Sequence, residues 1–429
     1  METKKNNTLP IFMMFILFGM IAFVTNLAAP MGVVLKSQFS LSNAMGLLGN
    51  AANFIAYAVM GIPGGILLQK VGYKKTALIA IAVGFIGVLI QYLSGLASQS
   101  SAMIIYLLGA FVAGFSMTLL NTVVNPMLNT LGGGGNKGNQ LILTGDTINA
   151  LMATVTPALV GILIGEVTKE TNIIDVFPVM YIAMGVFGLL FFVLLAISIP
   201  EPQEQWSSEP IGKLITGALK FRHLVLGIIA IFVYLGIEVG PPNVMLFWLS
   251  ELPSVGVTIA GSVAATYWFL MLIGRICGAA VGSKVSSRAM LSVCTSVAMI
   301  LTLAAIVSPT SVLVSLPVFK TSELGALSFG LAQVPINAMF LVLIGLCTSI
   351  MWGATFNLAV EGLGKYTAVA SGLFMTMVCG GGLIPLLQGW VADIAGYLPS
   401  YWILFALCIY MLFYALIGSK NVNKDIKVD

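Results

Sequence analysis

Three ionisable side chains stand inside otherwise apolar runs of this sequence: Asp146 in LTGDTIN, Glu238 in YLGIEVG and Arg275 in LIGRICG. A charge at membrane depth is costly, so each is a functional candidate by default. A carboxylate there can exchange a proton as its surroundings alternate between water and closure. Glu238 and then Asp146 are therefore the proton-coupling candidates, with a structural polar contact near the interface as the alternative for Asp146. Arg275 either pairs with a carboxylate or extends its stem to the interface, and its long side chain favours the second expectation.

Around these charges the apolar runs carry amides and aromatic rings. Amides offer both donors and acceptors, and rings offer flat apolar platforms, which together suit a polyhydroxylated neutral ligand. The substrate-binding candidates are Asn50, Tyr57, Asn121, Asn125, Asn149, Asn243, Trp352, Asn357 and Gln388, with Asn26 and Asn53 as further polar groups at cavity depth. Hydrogen bonding between helices is the competing use of such amides. Tyr267, Trp268, Trp390 and Trp402 read instead as packing or interfacial anchors. The single histidine, His223, and five cysteines without metal-ligand spacing give no metal or cofactor site. The Gly132–Gly135 run lacks the ending of a phosphate loop and reads as a flexible turn.

The elements that must position these groups are membrane helices. The chain has 429 residues, 59% of them hydrophobic and 8% charged, with a mean hydropathy of +1.04. Apolar runs of ~20 residues cross a bilayer as helices, and runs of this length are too long for barrel strands. The expected fold class is an all-α membrane protein with twelve transmembrane helices. Spans are expected at roughly 10–35, 43–69, 76–98, 102–130, 139–166, 176–199, 224–250, 258–282, 289–308, 335–360, 367–394 and 400–418. The stretch 309–334, broken by Pro309, Pro317, Lys320 and Glu323, either extends the ninth span or forms an interfacial segment.

Charge sets the expected orientation. With the N-terminus inside, fifteen basic residues fall in inside segments, and Lys36, Lys169 and Lys320 alone fall outside, Arg275 being intramembrane. That bias places both termini in the cytoplasm. The net charge of +4 is spread singly between spans and gives no nucleic-acid surface. No nucleophile–base pair is visible, so no enzyme is expected.

The halves echo each other. Asn125-Pro-Met-Leu-Asn-Thr-Leu-Gly132 recurs as Asn357-Leu-Ala-Val-Glu-Gly-Leu-Gly364, and Pro157-x-x-x-Gly161 as Pro385-x-x-x-Gly389. Repeated Gly/Pro-interrupted segments point to a transporter site between two repeats. The expected organisation is a six-helix bundle over 1–200, a linker over 201–223 and a second bundle over 224–429. Pro126, Pro157, Pro241, Pro242 and Pro385 are hinge candidates.

Gly65-Ile-Leu-Leu-Gln-Lys70-Val-Gly72-Tyr-Lys74-Lys75 resembles the conserved gating loop of the major facilitator superfamily, with Gln69 where the pattern has an acid. Its candidate gating residues are Gly65, Lys70, Gly72 and Lys74, with a basic topology anchor as the plainer reading. The whole chain resembles the fucose–glucose/galactose–proton symporter branch of that superfamily. The residues carrying this are Pro63-Gly-Gly, Asn125-Pro, Tyr234-Leu-Gly-Ile-Glu238-Val-Gly, Gly274-Arg275-x-x-Gly278, Phe356-Asn-Leu, and Gly380-Gly-Gly through Pro385-Leu-Leu-Gln388-Gly. The resemblance implies import of a neutral monosaccharide with protons, without a cofactor, by a monomer in a bacterial inner membrane. Fucose-type members carry an acid in the first span and another four residues before Asn-Pro, where this chain has Asn121 and no first-span acid. An uncoupled sugar facilitator and an exporter of amphiphiles are the alternative functions.

Overall fold

A computed structural model describes residues 7–39, 48–164, 173–199, 201, 210–321, 327–423 and 425–426. It contains twelve long helices: α1 (Thr8–Phe39), α2 (Leu48–Val71), α3 (Tyr73–Ser94), α4 (Gln99–Leu131), α5 (Gly135–Ile164), α6 (Phe177–Ala196), α7 (Arg222–Glu251), α8 (Gly256–Val281), α9 (Ser287–Val307), α10 (Ile336–Val360), α11 (Gly364–Ala395) and α12 (Tyr397–Gly418). Among the described residues, eleven helices are long and apolar enough to cross a membrane. α5 also carries Thr144, Asp146, Thr147, Asn149 and Thr156, polar groups that need partners inside the protein.

Packing repeats with a shift of six. The contacts α3–α4, α2–α4, α1–α5 and α3–α6 recur as α9–α10, α8–α10, α7–α11 and α9–α12. The two main contacts between the halves, α2–α11 and α5–α8, exchange under the same shift. A chain whose halves repeat therefore closes on itself through equivalent surfaces. At α2–α11 the approach is backbone to backbone: a Cβ on Gly65 would lie 3.1 Å from the Cα of Gly372, and one on Gly61 would collide with Thr376. Small residues at this seam let two helices lie close, with no side chains to interlock them.

Two helices are interrupted. α10 breaks at Ser349–Ile350, between Ile336–Thr348 and Met351–Val360, and α11 tightens into a 3-10 turn at Met377–Cys379. The linker carries a short amphipathic helix, Ile211–Ala218.

Of the two forms expected for the stretch 309–334, the extension of the ninth span is corrected, and its described residues depart from helix. They form an antiparallel hairpin of β1 (Leu313–Thr321) and β2 (Leu327–Pro335), with Leu313 opposite Pro335. Its alternation is of period two: Leu316, Val318, Ala332 and Val334 are buried, while Leu313 and Leu331 are exposed. Pro317 lacks the N–H an extended ninth helix would need, and the alternating pattern suits a strand.

Candidate functional site

Proline chemistry shapes the site from the backbone outward. In a helix, residue i donates to the carbonyl of i−4, so Pro242 leaves the Glu238 carbonyl without its intrahelical partner, and Pro385 does the same to Gly381. Both carbonyls are claimed by side chains. The Tyr267 hydroxyl donates to the Glu238 oxygen at 2.9 Å, and Asn50 Nδ2 donates across the halves to the Gly381 oxygen at 3.2 Å. Tyr267 is thus a brace for the helix carrying Glu238, a more specific task than the packing role expected of it.

Between the halves lies a cavity of about 160 Å³. Its lining comes from α1 (Phe18, Thr25), α2 (Asn50, Phe54, Tyr57), α4 (Met117, Asn121), α5 (Asp146, Asn149, Ala153), α7 (Glu238, Asn243), α8 (Trp268, Met271, Arg275), α10 (Trp352) and α11 (Val378). Both coupling candidates and Asn50, Tyr57, Asn121, Asn149, Asn243 and Trp352 meet here. The spacings explain it. Asn50, Phe54 and Tyr57, or Trp268, Met271 and Arg275, follow one another at three or four residues and share one helix face.

One wall is charged. Arg275 Nη2 lies 3.0 Å from Glu238 Oε1, the one ion pair among the described residues. Arg275 Nη1 donates to the Asp146 carbonyl oxygen at 2.8 Å and to Asn149 Oδ1 at 3.2 Å, while Asn149 Nδ2 donates to the Phe18 carbonyl at 3.0 Å. Arg275, Glu238 and Asp146 are 4%, 8% and 3% exposed. The expectation that Arg275 reaches the interface is therefore corrected: an acid one helix away and two acceptors on α5 hold the guanidinium inside. Asp146 Oδ2 is buried without a hydrogen-bond partner in the protein. Two carboxylates and one guanidinium leave the wall one negative charge in excess when both acids are ionised.

A second part of the lining is neutral. Trp352 Nε1 donates to Asn125 Oδ1 at 3.1 Å, Asn125 Nδ2 donates to Asn121 Oδ1 at 3.2 Å, and Asn121 Nδ2 donates to the Tyr57 hydroxyl at 2.8 Å. Asn125 thus sits one layer behind the cavity surface and acts through its neighbours.

Two expected site residues lie elsewhere. Asn357 donates to Ser287 Oγ at 3.0 Å and lines a separate basin at the end bearing the basic loops. Gln388 is buried against α7, with its oxygen beside Gly240 and its nitrogen 3.4 Å from Ser400 Oγ. In α10 and α11 these amides are spent on helix packing, the competing use available to any amide in lipid. Asn53 is buried, and its Oδ1 has no partner in the protein. Asn26 and Pro157 lie outside the described side chains. Trp268, expected as an anchor, faces the cavity, whereas Trp390 and Trp402 are exposed on the outer surface.

Of the loop residues, Gly65 lies in the α2–α11 seam and Lys70 lies in the last turn of α2. Gly72 has φ 90°, which favours glycine, and a Cβ there would strike the Glu201 carboxylate. Glu201 accepts from the backbone N–H of Tyr73 at 2.8 Å and of Lys74 at 3.0 Å, while Lys74 Nζ donates to the Leu195 carbonyl at 2.9 Å. The acid missing at Gln69 thus has a counterpart at the start of the linker, capping the positive end of α3. Its distance in sequence hid it.

A family model described as Major Facilitator Superfamily matches residues 11–384. The chain belongs to that superfamily. Its curated relatives include a glucose/galactose transporter of Brucella abortus, 29% identical over 98% of this chain and 96% of the relative. The L-fucose-proton symporter of Escherichia coli is 21% identical over 96% of this chain and 93% of its own. Among solved structures, the E. coli fucose:proton symporter FucP superposes with a TM-score of 0.77 at 18% identity, covering 97% of this chain and all of that one, a likeness of fold. Members of this superfamily alternate the access of a site between two six-helix repeats, and the cavity described above lies at that position.

Proposed function

We propose that this protein imports a neutral monosaccharide with protons by alternating access, the bundles 1–200 and 224–429 rocking about the central cavity. The observation that carries the reading is the cavity itself: a small space lined by amides and aromatic rings together with a buried Arg275–Glu238–Asp146 cluster. Its 160 Å³ holds on the order of five water volumes, which suits one sugar ring. The names of the relatives, which specify glucose, galactose and fucose, support the substrate class.

The chemistry follows from charge. An excess negative charge sealed in a low-dielectric cavity is costly, and a proton on Glu238 or Asp146 removes it. Loading a proton therefore favours closure around the sugar. When the halves part, Arg275 leaves the α5 carbonyl and Asn149 while keeping Glu238, so the proton's departure is linked to the movement of α5 against α8. The basic loops, the linker and both termini lie on the cytoplasmic side of the plasma membrane in this reading, and the monomer is the working unit.

The test is uptake of radiolabelled hexoses, fucose and amino sugars into proteoliposomes, with and without an inward proton gradient. Accumulation above equilibrium that collapses with a protonophore supports the proposal. Equilibration without accumulation would make the protein a facilitator, and absence of any sugar flux would remove the substrate assignment.

A further inference from the structure

Below the central cavity, at the end bearing the basic loops, a second space of about 680 Å³ is lined by Pro126, Asn129, Ser287, Asn357 and Glu361 among others. Asn121, Asn125 and Asn129 follow at four-residue spacing and therefore stack along one face of α4, from the cavity to this vestibule. Asn121 lines the upper space and Asn129 the lower. Asn125 lines neither, and at that level it accepts the indole N–H of Trp352 from the opposite half at 3.1 Å. The next residue, Gly353, faces α5 at the same level, where an added Cβ would lie 3.0 Å from the Leu143 side chain.

Trp352 has two exposures to function. Its ring lines the sugar cavity beside Tyr234 and Phe374, while its N–H reaches Asn125. It stands one residue into the helix that restarts after the Ser349–Ile350 break, so it heads a short segment separate from the preceding helix. The polar chain from Trp352 through Asn125 and Asn121 ends on the Tyr57 hydroxyl, which also lines the cavity. Asn139 next to Gly353 is fully buried with neither amide atom bonded to the protein, and Asn129 Oδ1 is likewise without a partner. Such groups lose hydration in the closed seam and regain it when the seam opens, which offsets part of the cost of opening.

We infer that the Asn125–Trp352 hydrogen bond is the gate between the sugar cavity and the vestibule, and that Trp352 ties sugar contact to its release. A sugar hydroxyl that engages Asn121 or Tyr57 competes for the amide chain that holds Asn125, and a ring stacked on the indole shifts the group donating to it. The inference rests on the transport reading for its substrate, but the gate exists with or without sugar.

The experiment uses the full-length protein in proteoliposomes and in inside-out and right-side-out vesicles, with Ala153→Cys as a cavity reporter and Thr130→Cys as a vestibule reporter. Labelling by a membrane-impermeant maleimide is followed by mass spectrometry, which separates the reporters from the native cysteines. Trp352→Phe keeps the ring and loses the N–H; Asn125→Leu keeps the tryptophan and loses the acceptor. Each is expected to raise cavity labelling from the vestibule side by roughly three- to tenfold, the value of one neutral hydrogen bond. The double variant should add nothing further, and Thr130→Cys should label equally in all. Unchanged cavity labelling in Asn125→Leu, or additive increases in the double variant, would overturn the gate. A labelling change without sugar flux in the parent protein would keep the gate and remove the sugar; flux without a labelling change would do the reverse.

Discussion

Glu238→Gln separates charge from shape at the ion pair. The side chain keeps its length and its acceptor, and Arg275 keeps the Asp146 carbonyl at 2.8 Å and Asn149 Oδ1 at 3.2 Å. What is lost is the carboxylate 3.0 Å from a guanidinium that is 4% exposed. Breaking a buried pair by removing one partner typically costs ~3–5 kcal/mol. Here the retained acceptors and the neighbouring Asp146 carboxylate reduce that toward the ~1.5–3 kcal/mol of one charge-assisted hydrogen bond. A folded protein with a measurably lower thermal midpoint in detergent is the expected result.

Transport gives the sharper readout. If each sugar travels with one proton, a pH difference of one unit is worth about 1.4 kcal/mol and drives roughly tenfold accumulation. In Glu238→Gln that accumulation should fall to equilibrium, while sugar counterflow, which needs no net proton movement, persists. Asp146→Asn supplies the contrast. It removes the carboxylate whose Oδ2 has no protein partner and leaves the Arg275–Glu238 pair intact, so its thermal midpoint should hold or rise. Accumulation of parental size and pH dependence in Glu238→Gln would refute the reasoning and move the coupling site off α7.

Tyr57→Phe should weaken sugar binding roughly five- to fiftyfold, measured as the KM of counterflow, because Asn121 Nδ2 then loses a buried acceptor. Asn357→Ala should leave that KM unchanged, since Asn357 faces the lower basin rather than the central cavity; a large change would mean that the sugar reaches the basin when bound. Glu201→Gln weakens the cap on α3 by about 1 kcal/mol, which predicts slower turnover at unaltered KM in uptake kinetics. Gly61→Val should abolish flux while the protein still reaches the membrane, because its side chain would occupy the space of Thr376 in the α2–α11 seam, and flux at parental rate would show that this seam does not need to close.

Much of this was legible in the chain because lipid leaves few choices. Apolar length specifies the helices, and Asp146, Glu238, Asn50, Tyr57, Asn121, Asn149, Asn243 and Trp352 stand out as polar groups in lipid-length runs. What failed did so where one residue type has two uses. Asn357 and Gln388 are amides at plausible depth, but only packing shows that Ser287 and the α7 backbone claim them. Arg275 carries the same stem whether it reaches the interface or turns inward, and the decision depends on Glu238 on a different helix. Trp268 was available from its spacing to Arg275, since residues seven apart share a helix face. Glu201 was not, because its partners are backbone N–H groups 127 and 128 residues away. The hairpin's period-two alternation was present in the sequence but masked by the apolar stretches on both sides.

The distribution of charge also explains why Asn121 can stand where the resemblance leads one to expect an acid. A carboxylate at that position would sit in the Trp352–Asn125–Asn121–Tyr57 chain, where an ionised group accepts hydrogen bonds but cannot donate one to Tyr57. An amide carries the chain through in one direction, donor to acceptor, and leaves the wall on α2, α4 and α10 neutral. With the acids on α5 and α7 and their cation on α8, proton chemistry and the amide chain are carried by different side chains lining one cavity. In the proposed reading a neutral sugar in this cavity meets both. Its binding can therefore respond to the protonation of the one while disturbing the hydrogen bonds of the other, which is the linkage a symporter needs between ion and substrate.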